Sequence, residues 1–146
     1  MHTEACTILA TSPNLDEVLD YLRERSCGPV GVVGAGSRWE KMTARIGVGS
    51  VTFDVLARRR PGDEFSKMVL SMYNYFRNGS SSSDSLKEEG LDAIASSDTA
   101  IGVVADPAFD EEAEEVVIEV ARMVGGVIFN GWGILDPEGT VLVKAI

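Results

Sequence analysis

The last third of the chain alternates strand and helix signals so regularly that it constrains the fold more than any other segment. Residues 99–105 form a nearly continuous apolar run without charge, which is typical of a strand covered on both faces. Asp106 and Pro107 then predict a helix start, because Asp can cap free amides and proline at the first helical position needs no amide partner. We predict this helix over residues 107–124 and a further strand over residues 127–130.

The predicted helix has one apolar face and an acidic beginning. Apolar side chains recur with the i, i+3, i+4, i+7 spacing of a buried face, at Ala113, Val116, Val117, Val120, Ala121 and Val124. Acidic side chains crowd the first turns, where the helix dipole favours negative charge, at Asp110, Glu111, Glu112, Glu114 and Glu115. Neighbouring carboxylates on one helix diverge, so we interpret this cluster as a solvated helix start and not as a metal site.

Two glycine-containing sequences follow the helix, Gly125-Gly126-Val127-Ile128-Phe129 and Leu135-Asp136-Pro137-Glu138-Gly139. The glycine pair predicts the helix end, and the second sequence fits a type I turn that joins two strands as a hairpin. In its element order and in these residues, the stretch from Ile101 to Leu142 resembles an uncharacterised bacterial and archaeal group of small α/β domains of unknown function. The resemblance implies no activity and therefore no functional residue.

The composition is that of one ordinary globular domain, which we predict over residues 1–146. No apolar run approaches the roughly 20 residues that span a bilayer, and the N-terminus lacks the order of a secretory signal. We therefore expect a cytoplasmic protein that does not contact membranes. Cys6 and Cys27 match no metal or redox spacing, and we interpret both as buried, reduced thiols.

The net negative charge of the chain arises from its second half. Residues 1–73 contain 9 Lys/Arg and 9 Asp/Glu, whereas residues 74–146 contain 4 Lys/Arg and 14 Asp/Glu. An acidic surface of this kind repels phosphate backbones, so we expect no nucleic-acid partner.

The first half of the chain predicts a strand over residues 3–10, a helix over residues 15–25, and two antiparallel strands within residues 30–60. Residues 37–48 fit a strand as well as a helix. Glycines at 47 and 49 indicate a hairpin connection into a strongly alternating strand.

The segment from Gly31 to Ser37 has a second interpretation. An apolar strand that runs into glycines is the start of a dinucleotide-binding turn, and Asp54 stands where such folds place a ribose-binding acid. Trp39, however, occupies the position where that turn needs Gly or Ala for close helix–strand packing. We therefore favour the two strands and keep the nucleotide-binding turn as the alternative.

Few side chains are suited to catalysis. His2 is the only histidine, which argues against Ser-His-Asp and Cys-His nucleophiles and against histidine zinc sites. Asp54 is the first carboxylate to inspect, although an alternating strand could simply point it to solvent. The arginines at 58–60 could clamp a phosphate or carboxylate, or close a solvated strand end. Trp39 and Trp132 could line a ligand pocket or belong to the core.

Residues 63–77 predict a helix with an unusually wide apolar surface. One stripe consists of Phe65, Val69, Met72, Tyr73 and Phe76, with Met68 and Tyr75 beside it. A helix that is apolar on more than one side must be covered on more than one side. Met68, Met72 and Tyr75 are therefore candidate interface residues, and a central position of this helix in the core is the alternative.

A Ser-rich stretch at residues 78–83 predicts a flexible connector, and Asp84 is the predicted cap of a helix over residues 85–96. Together the elements predict an α+β fold: a two-layer sandwich of a mainly antiparallel sheet with helices packed against it, in the order β-α-β-β-α-α-β-α-β-β.

We predict a non-catalytic protein without a cofactor or metal, acting through self-association or protein binding and most simply as a homodimer. The alternative is an enzyme that binds a small molecule or nucleotide with the loop from Gly31 to Ser37, Asp54 and the arginines at 58–60.

Overall fold

A computed structural model describes residues 5–34, 39–107 and 110–145. Within these residues the elements are β1 (Ala5–Ala10), α1 (Leu15–Arg25), β2 (Gly31–Val33), β3 (Lys41–Ile46), β4 (Gly49–Ala57), α2 (Glu64–Arg77), α3 (Asp84–Ser96), β5 (Thr99–Asp106), α4 (Glu111–Met123), β6 (Val127–Phe129), β7 (Gly133–Leu135) and β8 (Val141–Lys144). The strands form one antiparallel sheet in the order β2-β3-β4-β5-β1-β6-β7-β8. The predicted α+β class with a mainly antiparallel sheet is confirmed. No helix in the described ranges is long and apolar enough to cross a membrane.

Each helix begins after a side chain that accepts a backbone amide hydrogen bond, as capping chemistry requires. The caps are Asn14, Asp63, Ser83 and Asp110. Two predicted helix starts are therefore wrong. Asp106 belongs to β5, where it lies opposite Ser50, and α4 begins after Asp110, whose Oδ1 accepts from the Ala113 amide at 2.8 Å. Asp84 is the first helical residue of α3, because the hydroxyl of the preceding serine is the cap.

The region from 30 to 60 forms strands and no helix among its described residues. β3 and β4 make a hairpin in which Ile46 lies opposite Gly49, and Gly47 takes the positive φ of 60° that this tight turn requires. β2 then adds to the outer side of β3. The predicted antiparallel pair is confirmed and extended by a third strand. Residues 35–38, which include part of the predicted glycine loop, lie outside the described residues.

The end of α4 and the turn between β7 and β8 lie where the glycine-containing sequences predict them. Gly125 has a φ of 63°, and the amide of Gly126 donates to the carbonyl of Ala121 at 2.9 Å, which closes α4. The turn from Asp136 to Gly139 has its i to i+3 hydrogen bond at 3.0 Å, and β7 pairs with β8 as predicted.

The Ser-rich connector is held more firmly than its composition predicts. Ser80 forms an isolated bridge with Lys144 on β8, with hydrogen bonds of 3.2 and 2.7 Å. A side chain at Gly79 would collide with the carbonyl oxygen of Lys144. The connector therefore lies along the outer side of β8.

The helices cover the sheet from both faces, which adds a layer to the predicted sandwich. Successive residues of a strand point to opposite faces, and in β1 Ile8 belongs to one buried cluster and Leu9 to another. The first cluster contains the apolar faces of α1 and α4 with residues from β1, β3, β4, β5 and β6. The second contains those of α2 and α3 with residues from β1, β5, β6, β7 and β8.

The two helical layers therefore do not cover the same strands. The α1–α4 layer reaches β3 and β4, whereas no residue of β2, β3 or β4 belongs to the α2–α3 cluster. β1, β5 and β6 contribute residues to both clusters, β3 and β4 only to the first, β7 and β8 only to the second, and β2 to neither. The α2–α3 side of β2, β3 and β4 is therefore left open by the described helices.

Candidate functional site

The first functional candidate is the side of β2–β5 that, except at Ala100, the described helices leave uncovered, and we call it the open face. Cross-strand partners share a face, so the register assigns to it Gly31, Val33, Lys41, Thr43, Arg45, Ser50, Thr52, Asp54, Leu56, Gly102, Val104 and Asp106. Three of these side chains are large and apolar yet exposed: Val33 by 65%, Val104 by 49% and Leu56 by 36%. Val33, Leu56 and Val104 lie on three different strands, and polar side chains of β3 and β4 lie between them. The open face is therefore a mixed apolar and polar sheet surface.

Charges of both signs flank the apolar side chains on the open face. Lys41 on β3 lies directly opposite Asp54 on β4, and both are exposed. In the next cross-strand pair on the same face, the hydroxyls of Thr43 and Thr52 are hydrogen-bonded at 3.2 Å. Asp54 thus points to solvent on a strand, one of the two positions expected for it.

The two edges of the sheet differ in whether the edge strand has a hydrogen-bonding partner on its outer side. β8 is bridged on its outer side by Ser80, whereas β2 is the last strand in the order and pairs only with β3 within the described residues. An open strand edge presents unpaired amides and carbonyls that another chain can bind. The open face and the open edge therefore adjoin each other.

The predicted interface residues of α2 divide between core and surface. Phe65, Val69 and Phe76 are buried in the α2–α3 cluster, as the main stripe predicts. Met68 and Met72 are half-buried and pack against that cluster. Tyr75 is exposed, with its ring edge-on to Phe76 at a centroid distance of 5.1 Å. Their assignment as interface residues stays a prediction.

A second candidate is a cleft at the end of the sheet where β4 finishes and β5 begins, which we call the Trp39 cleft. Its volume is about 460 Å³, and its lining consists of Ser12, Pro13, Leu15, Trp39, Glu40, Val55, Ala57, Arg58, Arg59, Asp98 and Thr99. Trp39 is buried there, and its indole N–H donates to the Leu15 carbonyl at 3.1 Å. The ring is thereby fixed in orientation.

Asp98 organises one rim of the Trp39 cleft. Its carboxylate accepts from the backbone amide of Ser12 at 2.8 Å, from the Ser12 hydroxyl at 3.0 Å and from the Thr99 hydroxyl at 2.9 Å. Burial alone would raise the pKa of Asp98, but these hydrogen bonds and the charge of Arg58 outweigh it and lower that pKa. Ser12 has a φ of 45°, a strained left-handed conformation that its two hydrogen bonds to Asp98 stabilise.

Two arginines form the other rim. The Arg58 guanidinium donates to the Ser97 carbonyl at 3.2 Å and lies 5.5 Å from the ring centre of Phe65. The amide of Arg59 donates to Asp63 at 2.8 Å, and this bond with that of Ser66 holds the pKa of Asp63 far below its ordinary value. Within the described part of the chain, the Arg59 guanidinium has no hydrogen-bond or ion-pair partner.

The predicted nucleotide-binding residues are not brought together. Asp54 lies on the open face, whereas its neighbour Val55 lines the Trp39 cleft on the opposite side of the sheet. Gly31 is part of the edge strand β2, and Ser37 lies outside the described residues. Sequence reasoning did indicate Trp39 and the arginines at 58–60, and the cleft places Trp39, Arg58 and Arg59 in one lining.

Comparison with known proteins gives no relative from which a role could be transferred. No protein-family model matches the chain, and no curated protein or solved structure matches it significantly. The resemblance of residues 101–142 to a group of small α/β domains therefore stays a prediction.

The acidic start of α4 lies beside a groove between α1 and α4. Arg25 on α1 pairs with Glu115 on α4 at 3.8 Å, whereas Arg122 pairs with Glu119 on its own helix at 2.9 Å and with Glu138 in the turn between β7 and β8 at 3.1 Å. Among residues 5–34, 39–107 and 110–145, no group of three or more His, Cys, Asp or Glu is placed to hold a metal ion.

Sequence reasoning missed Ser12 and Asp98. They are 86 positions apart, and neither belongs to a recognisable motif. The only local signal was the Ser-Pro-Asn break after the first strand, which indicates a turn and not a partner.

Proposed function

We propose that the protein acts through self-association, with the open faces of two copies packed against each other. The observation that carries this proposal is that no described helix packs on this side of β2, β3 and β4, which leaves Val33 and Leu56 exposed there and Val104 exposed on the adjoining strand β5. Sheets stack face to face at a spacing of about 10 Å when both present apolar side chains. A second copy supplies the layer that α2 and α3 do not.

The charges on the open face favour a second copy over an unrelated partner. A two-fold interface brings the same surface patch together with itself, so the patch must be self-complementary. Lys41 on β3 and Asp54 on the adjacent strand β4 meet this requirement, because a two-fold axis between the strands places each beside its opposite charge on the partner. A patch of one sign would repel its own copy.

The first test is the mass of the protein in solution. Light scattering behind a sizing column, at roughly 30 micromolar chain, should give twice the mass of one chain, since a micromolar dissociation constant suffices for dimers at that concentration. A strict monomer under these conditions contradicts the proposal.

Substitution then tests whether the open face is the interface. Val104→Lys places a charge on the open face, and we expect it to shift the protein to monomer. Val48→Lys is the matched control, because Val48 is 91% exposed in the β3–β4 turn and not on the open face. Equal masses for the two variants would assign association to another surface.

A charge exchange tests the two-fold arrangement itself. Lys41→Glu and Asp54→Lys, each alone, should weaken the dimer by about tenfold, whereas the double variant should restore it. If the double variant is no better than either single variant, the two charges do not face each other between copies. Urea unfolding of each variant separates loss of association from loss of fold.

A further inference from the structure

We propose that the Trp39 cleft binds a small organic anion, in which an apolar ring or chain carries a carboxylate or phosphate group. The cleft is independent of the open face, because its lining residues on β4 and β5 point to the other side of the sheet or lie at the strand ends. Its volume of about 460 Å³ falls within the range of small-molecule sites.

The apolar body of the ligand is matched by one wall of the cleft. Pro13, Leu15, Trp39, Val55 and Ala57 form this wall. The hydrogen bond from the Trp39 indole to the Leu15 carbonyl fixes the ring before any ligand arrives, which lowers the entropic cost of binding. Such a wall, combined with a few placed polar groups, is typical of ligand pockets.

The anionic group is matched by the arginine rim. The contacts of Arg58 with Ser97 and Phe65 position one guanidinium, and Arg59 contributes a second that has no partner within the described residues. Guanidinium groups bind carboxylates and phosphates through two parallel hydrogen bonds. Residues 58–60 are also the longest run of positive charge in a chain of net charge −10.

Two acids also belong to the lining. Asp98 accepts hydrogen bonds from Ser12 and Thr99, and its negative charge attracts Arg58, so Arg59, which has no partner within the described residues, is the principal group for the ligand anion. Glu40 is exposed, and solvent and salt screen an exposed charge.

Trp39 itself reports binding. In a Trp132→Phe variant, Trp39 is the only tryptophan, and the replaced residue is 74% exposed, so the fold should be unaffected. Phenyl phosphate and phenylacetate are the probes, and phenylacetamide is the uncharged control. We expect a saturable change of Trp39 emission with at least one anion and none with the amide. The tighter-binding anion then distinguishes phosphate from carboxylate recognition.

Two arginine variants localise the binding. Arg59→Gln should weaken binding about tenfold, the effect of one charge-assisted hydrogen-bond pair. Arg60→Gln is the matched control, because Arg60 is adjacent and exposed but does not line the cleft, and it should change binding by less than about twofold.

Three results would overturn the proposal. The first is the absence of saturable binding up to about 10 mM in both fluorescence and calorimetry of the unaltered chain. The second is equal binding of phenylacetamide, which would show an apolar pocket without anion recognition. The third is equal weakening by the two arginine variants, which would show general attraction to the arginine run.

Discussion

The two halves of the sheet differ in whether the α2–α3 layer covers them: its cluster contains residues of β1 and β5 to β8 but none of β2, β3 or β4. Leu9 and Leu56 show this difference at the level of one residue type. They lie in the same cross-strand row, on either side of Ala100, and on the same face of the sheet. Leu9 is 1% exposed beneath the α2–α3 layer, whereas Leu56, two strands away, is 36% exposed. The half that is closed supports the fold, and the half that is open is available for binding.

The largest expected effect comes from truncating these two leucines. Leu9→Ala should lower the free energy of unfolding by about 2–5 kcal/mol, because it removes buried methyl groups and leaves a cavity. Leu56→Ala should lower it by less than about 1 kcal/mol, because its side chain already contacts water. Urea unfolding of both variants, at a concentration where the protein is monomeric, measures the difference.

Similar losses for the two leucine variants would mean that the open face is covered in the isolated chain, and the contrast between the halves would disappear. The proposed dimer adds a second expectation for Leu56→Ala. The loss in the free energy of unfolding should grow with protein concentration for Leu56→Ala but not for Leu9→Ala.

An intermediate effect is expected at the place where the halves meet, since Asp98 joins the end of β1 to the start of β5 through Ser12. Asp98→Asn should lower the free energy of unfolding by about 1–2 kcal/mol, because it weakens hydrogen bonds to a charged acceptor. The pKa of Asp98 is lowered in the folded state, with burial opposing and the Ser12 hydrogen bonds outweighing it. Its stabilisation is therefore complete above the unfolded-state value of about 3.9 and is lost as pH falls through the folded value.

Unfolding followed between neutral pH and pH 3 tests this sign. The stability difference between the wild-type chain and Asp98→Asn should be constant above about pH 5 and should narrow as the solution becomes more acidic. A difference that widens in acid would show that Asp98 is not the favoured charged acceptor that its contacts indicate.

The smallest effect on stability is expected for the α1–α4 layer, which we test by thiol labelling and not by truncating a side chain. Cys6 lies beneath this layer, and burial raises the pKa of its thiol to about 12. Cys27, which the sequence led us to expect as buried, is exposed in the loop before β2. Because the thiolate is the reactive form, Cys6 should react with a thiol reagent more than about 100-fold more slowly than Cys27.

Labelling of a Cys27→Ser variant isolates the rate of Cys6. We expect that rate to rise to the value of a free thiol only when urea unfolds the protein. Rapid labelling of Cys6 in the folded state would show that the α1–α4 layer opens readily.

Structural features were predicted from the sequence where the interacting residues lie within a few positions of each other. The helix of residues 15–25, the glycine pair after α4 and the turn from Asp136 to Gly139 were predicted because caps and turns are made by near neighbours. The start of α4 was predicted too early, because Asp106 and Asp110 are both suitable caps. Only the pairing of Asp106 with β4 decides between them.

The lining of the Trp39 cleft was predicted only in part from the sequence. Trp39 and the arginine run were recognised as residue types suited to ligands, whereas their meeting with Ser12 and Asp98 was not, because these contacts join distant segments. Asp54 was placed on its strand correctly. Its separation from the cleft follows from the alternation of that strand, once the two faces of the sheet are known.

Periodicity, capping and turn residues therefore predict the α+β class, the two antiparallel hairpins and the C-terminal ends of the helices, because these signals act over one or two turns of chain. They do not predict that α2 and α3 cover β5 to β8 and leave β2 to β4 open. The position of a helix over a sheet depends on packing between elements far apart in the chain. An apolar stripe shows that a helix is covered and does not show which strands cover it.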